Sequence, residues 1–332
     1  MQKRILSGMR PTGKLHLGNY HGALSNWVTL QNQGDYDCFY FVADWHALTS
    51  DYASTENIKA NTLDMVIDWL AAGLDPNKST LFVQSSVMEH AELFLLLSMI
   101  TPLAWLERNP TYKEVKDELS QKDLSTFGFL GYPVLQAADI IMYKASGVPV
   151  GVDQLPHVEL TREIARRFNF LYGEIFPVPE PLLADVGKLL GTDGRKMSKS
   201  YENAIFMSDM GDVLHKKVAA MFTDPQRQRK SDPGRPELCN VYTLHGIYST
   251  PEVVAEIAPA CRSAAIGCIE CKKRLAAAIA EGMKPVHERR EHYLANPREV
   301  RAIIEDGNVH ARSIAKKTMA EVREAMKINH EL

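Results

Sequence analysis

Short apolar runs alternate with amphipathic stretches through the first half of the chain. Arg4–Ser7 reads as a strand, and Pro11, Thr12 and Gly13 make a loop after it. Leu24, Trp27 and Val28, spaced three and four apart, open a helix face. Cys38–Val42 predicts a second strand that ends at Asp44. Ile58, Met65, Val66, Trp69 and Leu70 line a further helix, closed by Gly73. Leu81–Gln84 predicts a third strand, with a helical run after it through Met99. This β-α-β-α-β rhythm implies an α/β fold, a doubly wound parallel sheet with helices on both faces. Ligands of such sheets bind beyond the carboxyl ends of the strands.

Beyond Tyr201 the strand pattern disappears. Residues 208–332 read as helices rich in Ala, Glu, Lys and Arg, among them Ala276–Met283 and Ile314–Met326. The expected organisation is a sheet domain over residues 1–205 and a C-terminal helical domain over 206–332, whose last helix can pack back on the first. Residues 224–236 form a proline-rich, basic loop.

Composition changes this picture little. A chain of 332 residues with 45% hydrophobic and 24% charged residues is long enough for two domains with a sizeable core. Its start, MQKRILSGMR, carries no long apolar region. Polar residues interrupt the longest apolar run, Leu93 to Leu106, so a cytoplasmic protein without a membrane partner is expected. The net charge of −3 argues against indiscriminate nucleic-acid binding, but its distribution is uneven. Residues 206–332 carry 20 Lys+Arg and 17 Asp+Glu, a net of +3, which leaves −6 for the remainder. A basic C-terminal region is compatible with a local polyanion partner.

Three loops carry candidate chemistry. The first is Arg10-Pro11-Thr12-Gly13-Lys14-Leu15-His16-Leu17-Gly18-Asn19, which follows a strand and opens a helix. Glycine there lets backbone approach a nucleotide, and a helix start presents free amides and a positive dipole to phosphate. His16 and Asn19 are three apart, so both can face one ligand. The second is Lys196-Met197-Ser198-Lys199-Ser200, preceded by Gly191-Thr192-Asp193-Gly194-Arg195. Two lysines and two hydroxyls on a glycine-flanked loop can neutralise charge developing on a transferring phosphate. The third, Gly151-Val152-Asp153-Gln154, follows the apolar strand Val148–Val150 and offers oxygens to hydroxyl or ammonium donors.

Together the first two loops resemble the signatures of class I aminoacyl-tRNA synthetases, the His-x-Gly-His-like and Lys-Met-Ser-Lys-Ser motifs. Their order and spacing are similar to the compact tryptophan and tyrosine subgroup. Asn19 stands where the general motif has a second histidine, which is usual in the tryptophan branch. Ser7–Leu24, Phe41–Thr49 and Pro149–Asn169 resemble that branch most closely. The resemblance implies a Rossmann-like catalytic domain, an anticodon-binding helical domain, a homodimer, and ATP with Mg2+, L-tryptophan and tRNA(Trp) as substrates. It implies His16, Lys196 and Lys199 as catalytic residues. For ATP it implies Arg10, Pro11, Thr12, Gly18, Asn19, Gly151, Val152, Asp153, Leu189, Lys196, Met197, Ser198, Lys199 and Ser200. For tryptophan it implies Leu6, His46, Tyr132, Gln136, Asp139, Val150 and Gln154.

Tyr132, Gln136 and Asp139, spaced four and three apart, share one helical face among apolar neighbours. A carboxylate there can accept an indole N–H. The same Tyr-x-x-x-Gln-x-x-Asp pattern also resembles tyrosine-specific enzymes, and a non-catalytic RNA-binding or redox-sensing relative is the third reading. The wider resemblance favours tryptophan, and the retained His16 and lysine loop favour an enzyme.

Four of the five cysteines, Cys239, Cys261, Cys268 and Cys271, fall in the C-terminal region as C-x21-C-x6-C-x2-C. Four thiolates suit zinc or a [4Fe–4S] cluster, and spacing does not separate them. The pattern is similar to a subset of the tryptophan branch, that of the Thermotoga enzyme, which implies the cluster. Lys272, Lys273 and Arg274 follow directly and are candidate contacts to an anticodon loop. Cys38, within a strand, reads as a core residue.

Overall fold

The computed structural model describes residues 3–109, 124–183 and 189–330. Contacts group the chain into two compact units. One comprises Met1–Gly13, Ser25–Asp185 and Tyr293–Leu332; the other comprises Lys14–Leu24 and Val186–His292.

The first unit is built on five parallel strands: β1 (Lys3–Met9), β2 (Tyr36–Val42), β3 (Ser79–Val83), β4 (Gly147–Val150) and β5 (Glu180–Leu183). Their order is β3-β2-β1-β4-β5. One row crosses the whole sheet, Ser79, Cys38, Ile5, Gly147 and Glu180. Cys38, Phe39, Tyr40, Phe41 and Val42 are all buried, because helices cover both faces of a parallel sheet. The topology reverses at β1, so the ends of β1 and β4 flank the crevice where such sheets bind ligands. Ser7 Oγ donates to the Pro149 carbonyl across that junction at 3.0 Å.

In chain order the helices are α1 (Leu17–Asn19), α2 (Ser25–Gln33), α3 (Asp44–Asp51), α4 (Ile58–Ala72), α5 (Glu89–Ser98), α6 (Leu103–Glu107), α7 (Phe127–Met142) and α8 (Leu155–Tyr172). After them come α9 (Gly211–Ala219), α10 (Asn240–Tyr248), α11 (Pro251–Arg262), α12 (Cys268–Ala295) and α13 (Pro297–Ala325). Gly73 ends α4 at φ 114°, a left-handed cap that glycine adopts freely. Residues Tyr20–Leu24 make a π-helical turn, which the spacing of Leu24, Trp27 and Val28 does not predict.

The sequence places one boundary at residue 205 and allows the last helix to pack back on the first domain; the contacts group that helix with the sheet. Val300, Gly307, Ala311, Ala315, Met319 and Val322 give α13 a continuous buried stripe. Gly307 sits on β3, where a Cβ would lie 1.9 Å from the Leu81 carbonyl oxygen. Asn308 Oδ1 accepts the Val83 N–H at 2.9 Å, filling a hydrogen bond that an edge strand leaves open. Arg312–Glu89 and Arg323–Glu92 pairs peg the helix further.

In the second unit the chain just before and after His16 pairs with residues near 206. The Leu17 N–H donates to the Ile205 carbonyl, and the Met207 N–H to that of Leu15, both at 2.9 Å. These bonds account for the grouping of Lys14–Leu24 with the later segment. Among the described residues, no helix is long and apolar enough to cross a membrane.

Candidate active site

His16 is the N-cap of α1, and nearly all of it is buried. Its Nδ1 accepts the Asn19 N–H at 3.2 Å, while Asn19 Oδ1 accepts the His16 N–H at 3.1 Å, a reciprocal capping box. Because Nδ1 accepts, the ring proton resides on Nε2, which keeps a donor to offer. Gly18 is required for this geometry: a Cβ there would come within 2.9 Å of His16 Nδ1. Burial, then the charges of Lys199 and Lys196, lowers the His16 pKa to about 4. The charges of Lys199 and Lys196 thus reach His16, whose imidazole is neutral.

The lysine loop is knit by Asn203, a buried residue to which no motif points. Its Oδ1 accepts the Ser198 N–H at 2.8 Å. Its Nδ2 donates to Asp193 Oδ1 at 2.7 Å and to the Lys196 carbonyl at 3.1 Å. Its own carbonyl accepts the Thr192 N–H. The bond from Asn203 is also the main reason Asp193 titrates at about 2. Met197 is buried, and its N–H donates to the Leu189 carbonyl, so Leu189 braces the loop through backbone. The Ser200 N–H donates to Ser198 Oγ.

The remaining predicted residues lie in the first unit, some on or just beyond its strands and three on α7. Arg10 follows β1 and donates to Ser50 Oγ at 3.3 Å. Pro11 and Thr12 line a cavity of about 180 Å³ with Asp51, Asn57 and Asn61. Gly151 follows β4; a Cβ there would lie 2.7 Å from Asp153 Oδ1, so this backbone and carboxylate nearly touch. Val152, Asp153 and Gln154 make one turn of 3-10 helix ahead of α8, and Gln154 Nε2 donates to Asp153. Leu6 and Val150 sit on the adjacent strands β1 and β4, Leu6 fully buried and Val150 partly so.

On α7, Tyr132 and Gln136 are half-buried and Asp139 is fully buried. Asp139 is not an open acceptor. Oδ2 takes the His46 Nε2–H at 2.8 Å, Oδ1 takes the His90 Nδ1–H at 2.5 Å, and Gln84 Nε2 donates to both oxygens at 2.9 Å. Burial works to raise its pKa, but the bonds from His46 and His90 outweigh burial and hold the carboxyl below its ordinary range. An indole N–H must therefore replace a donor already present, a condition that helical spacing does not reveal.

His157, on the first turn of α8, also faces this site. Its Nε2 lies 3.0 Å from the Tyr132 hydroxyl, and its Nδ1 lies 3.3 Å from Asn109 Nδ2. Burial, with the charge of His46 adding to it, lowers its pKa to about 4. Gln84, His90 and His157 escape sequence reasoning because each comes from a different segment from Asp139. The one signal in the sequence is a histidine inside the apolar stretch of α5.

Cys239 caps α10, Cys261 ends α11, and Cys268 and Cys271 open α12. Burial, then the charges of Cys239, Cys261 and Cys268, raises the Cys271 pKa to about 12. Burial also raises Cys261, against the pull of Arg227, whose NH1 lies 3.6 Å from its sulfur. His245 Nε2 stands 3.5 Å from Cys271 Sγ. The four thiols thus share one neighbourhood. Among the described residues, however, no three His, Cys, Asp or Glu side chains form a group that could hold a metal ion. The expected tetrahedral ligand set is not assembled in this conformation. Of the basic run beside them, Lys272 donates to the Ala219 carbonyl and Arg274 pairs with Glu256 and Glu270.

A parallel sheet that reverses at β1, a His-x-Gly-Asn helix start and a lysine loop beside that histidine are the marks of a class I aminoacyl-tRNA synthetase. Residues 2–284 match the family described as tRNA synthetases class I (W and Y), and the chain belongs to it. The chain is 55% identical to the tryptophan–tRNA ligase of Thermotoga maritima, covering 98% of this chain and 99% of the relative. It is 47% identical to that of Aquifex aeolicus, over 98% and 100%. Its fold is similar to the tryptophanyl-tRNA synthetase of Campylobacter jejuni solved with ADP and tryptophan, with a TM-score of 0.88, 35% identity, and 98% and 99% covered. Within the family the chain stands with the bacterial tryptophanyl-tRNA synthetases.

Proposed function

We propose that this chain, as a tryptophan–tRNA ligase, activates L-tryptophan with ATP and then charges tRNA(Trp) through the residues described above. In the first step a tryptophan carboxylate oxygen attacks the α-phosphorus of Mg-ATP. The bond from that phosphorus to the bridging oxygen breaks, and pyrophosphate leaves. In the second, the terminal hydroxyl of the tRNA takes the aminoacyl group and AMP leaves. No side chain acts as nucleophile, so catalysis rests on positioning and electrostatics.

The observation that carries this reading is the cluster of His16, Lys196 and Lys199. A neutral imidazole with its proton on Nε2 donates a hydrogen bond, and two ammonium groups whose charges act on it stabilise charge growing on phosphate oxygens. Gly18, Asn19, Leu189, Met197, Ser198 and Ser200 shape and hold that cluster. Arg10, Pro11, Thr12, Gly151, Val152 and Asp153 are assigned to the nucleotide, with Asp153 on its ribose. Leu6, His46, Tyr132, Gln136, Asp139, Val150 and Gln154 are assigned to tryptophan, with Asp139 receiving the ring N–H. Amino-acid-dependent ATP–pyrophosphate exchange tests the assignment. Exchange with tryptophan and not tyrosine is expected; exchange with tyrosine alone would overturn it.

We further propose that Cys239, Cys261, Cys268 and Cys271 hold a [4Fe–4S] cluster, with zinc the rival for the same thiols. Their placement supports this, with Cys239 capping α10, Cys261 near the end of α11 and Cys268 and Cys271 opening α12; the lack of a converged ligand set among the described residues counts against it. When bound, the group would serve as a structural staple. Iron and sulfide analysis of anaerobically purified protein decides, and absence of both iron and zinc refutes the proposal. A homodimer is the expected assembly. Exposed Met88, Leu95, Met99, Leu103 and Phe127, on or beside α5, α6 and α7, support it and are testable by sedimentation.

A further inference from the structure

Asp139 cannot do its assigned work unless its carboxylate is both ionised and aimed. Neither follows from its place on α7, where its neighbours are Ala138, Ile140 and Ile141. A carboxylate with no accessible surface among apolar groups takes up a proton unless donors surround it. Three side chains provide those donors, and they differ in kind.

His46 is the one among them with side-chain exposure, 10%, at the start of α3 beside Tyr132. Gln84 has none; its Oε1 accepts the Trp45 N–H at 3.1 Å, so its amide is oriented with Nε2 toward Asp139. His90 has none either, and lies in a relay. The Tyr143 hydroxyl stands 2.7 Å from His90 Nε2, and His90 Nδ1 stands 2.5 Å from Asp139 Oδ1. The Tyr143 side chain is fully buried, and its hydroxyl meets no solvent and has His90 as its hydrogen-bond partner among the described residues, so its proton is given to His90. His90 Nε2 therefore accepts, and its single ring proton must sit on Nδ1, facing the carboxylate.

We propose that His90, its tautomer set by Tyr143, is a positioning residue for tryptophan specificity: it anchors Oδ1 of Asp139 so that Oδ2 is presented to the substrate ring N–H in place of His46. His90 touches no substrate and acts only through Asp139. Gln84 bridges both oxygens and fixes the plane of the carboxylate. The inference rests on the reading that this site takes tryptophan, and deepens it.

The test uses the full chain in ATP–pyrophosphate exchange with two substrates. One is L-tryptophan; the other is its benzothiophene analogue, in which sulfur replaces the ring N–H at almost unchanged shape. The parent prefers tryptophan. In His90→Leu the ratio of kcat/KM for tryptophan to that for the analogue is expected to fall about ten- to a hundredfold, the size of a hydrogen bond to a charged group. The KM for ATP stays near the parent value. His90→Asn, which returns an N–H near the Nδ1 position, restores part of the ratio. Tyr143→Phe keeps the packing and removes the tautomer lock, so its ratio falls about two- to tenfold; it decides the matter if His90→Leu does not fold. Equal losses for both substrates, or an unchanged ratio in Tyr143→Phe and, where it folds, in His90→Leu, overturn the inference and leave these residues a purely structural role. A parent that exchanges with tyrosine instead overturns the reading beneath it, which is a separate result.

Discussion

His16 takes up a proton less readily than a free imidazole because burial, and after it the charges of Lys199 and Lys196, oppose the imidazolium. A second proton would go to Nδ1, the atom that caps α1, so charging the ring also breaks the cap. The folded pKa of about 4 lies below the ordinary imidazole value of 6.5 that the unfolded chain approaches. Between those values the unfolded state binds more protons, so stability rises with pH across the window. The contribution is fully present above 6.5 and is lost as pH falls through that value toward 4. His157 acts in the same sense over the same window. Urea unfolding from about pH 7 to about pH 4 should show a falling midpoint for the parent. His16→Asn, which retains a capping oxygen and does not titrate, is expected to show a shallower fall. Parallel curves would mean that the His16 pKa is the same in the folded and the unfolded chain.

Helix α13 docks on β3 because position 307 has no side chain. The close approach is to backbone, the Leu81 carbonyl and nitrogen, and backbone cannot rotate away as a side chain can. Gly307→Ala is therefore expected to destabilise the first unit by about 2–3 kcal/mol or more, beyond ordinary overpacking, despite alanine's better helix propensity. Glu305→Ala, on the exposed face of the same helix, is the control; a thermal midpoint for Gly307→Ala equal to that of Glu305→Ala would refute the close docking. Much of this architecture is legible in sequence, because periodicity reports local structure. Strands β1 to β3, the cap at Gly73, and the shared face of Tyr132, Gln136 and Asp139 all follow from spacing. That the last helix can pack back on the sheet domain is also foreseen, but not the contact that holds it, since the bond from Val83 to Asn308 joins positions 225 apart. Nor is Asn203 foreseen, whose side chain satisfies loop backbone and so leaves no periodic trace. The cysteine spacing names a donor set but not its convergence. Similarly, the pattern around Asp139 identifies an acceptor and says nothing of the three donors folded onto it.

At the scale of the whole molecule, charge separates along the chain, with +3 on residues 206–332 against −6 on the rest. A tRNA, the partner proposed above, would be drawn to the former stretch and repelled by the latter, before any base is read. Lys272, Lys273 and Arg274 are the densest cations near the cysteines, but the structure grades them. Arg274 is already held by Glu256 at 2.9 Å and Glu270 at 3.6 Å, so its charge is largely balanced within the protein. Lys272 donates to the Ala219 carbonyl, a neutral partner that leaves its charge uncompensated, and Lys273 is exposed. Removing one phosphate-binding cation reduces the slope of log K against log salt by about 0.7 to 0.9. Replacing all three by alanine is thus expected to weaken tRNA binding and lower that slope by about one to two, not three, if Lys272 and Lys273 carry the phosphate contacts. Lys273→Ala alone should account for about half of the change, and Arg274→Ala for little of it. Binding measured across a salt series gives the slopes, with tryptophan-dependent exchange, which needs no tRNA, as the control for folding. Identical slopes for parent and triple variant would remove this run from the tRNA interface, and a dominant effect of Arg274→Ala would mean that RNA displaces Glu256 and Glu270 from the guanidinium.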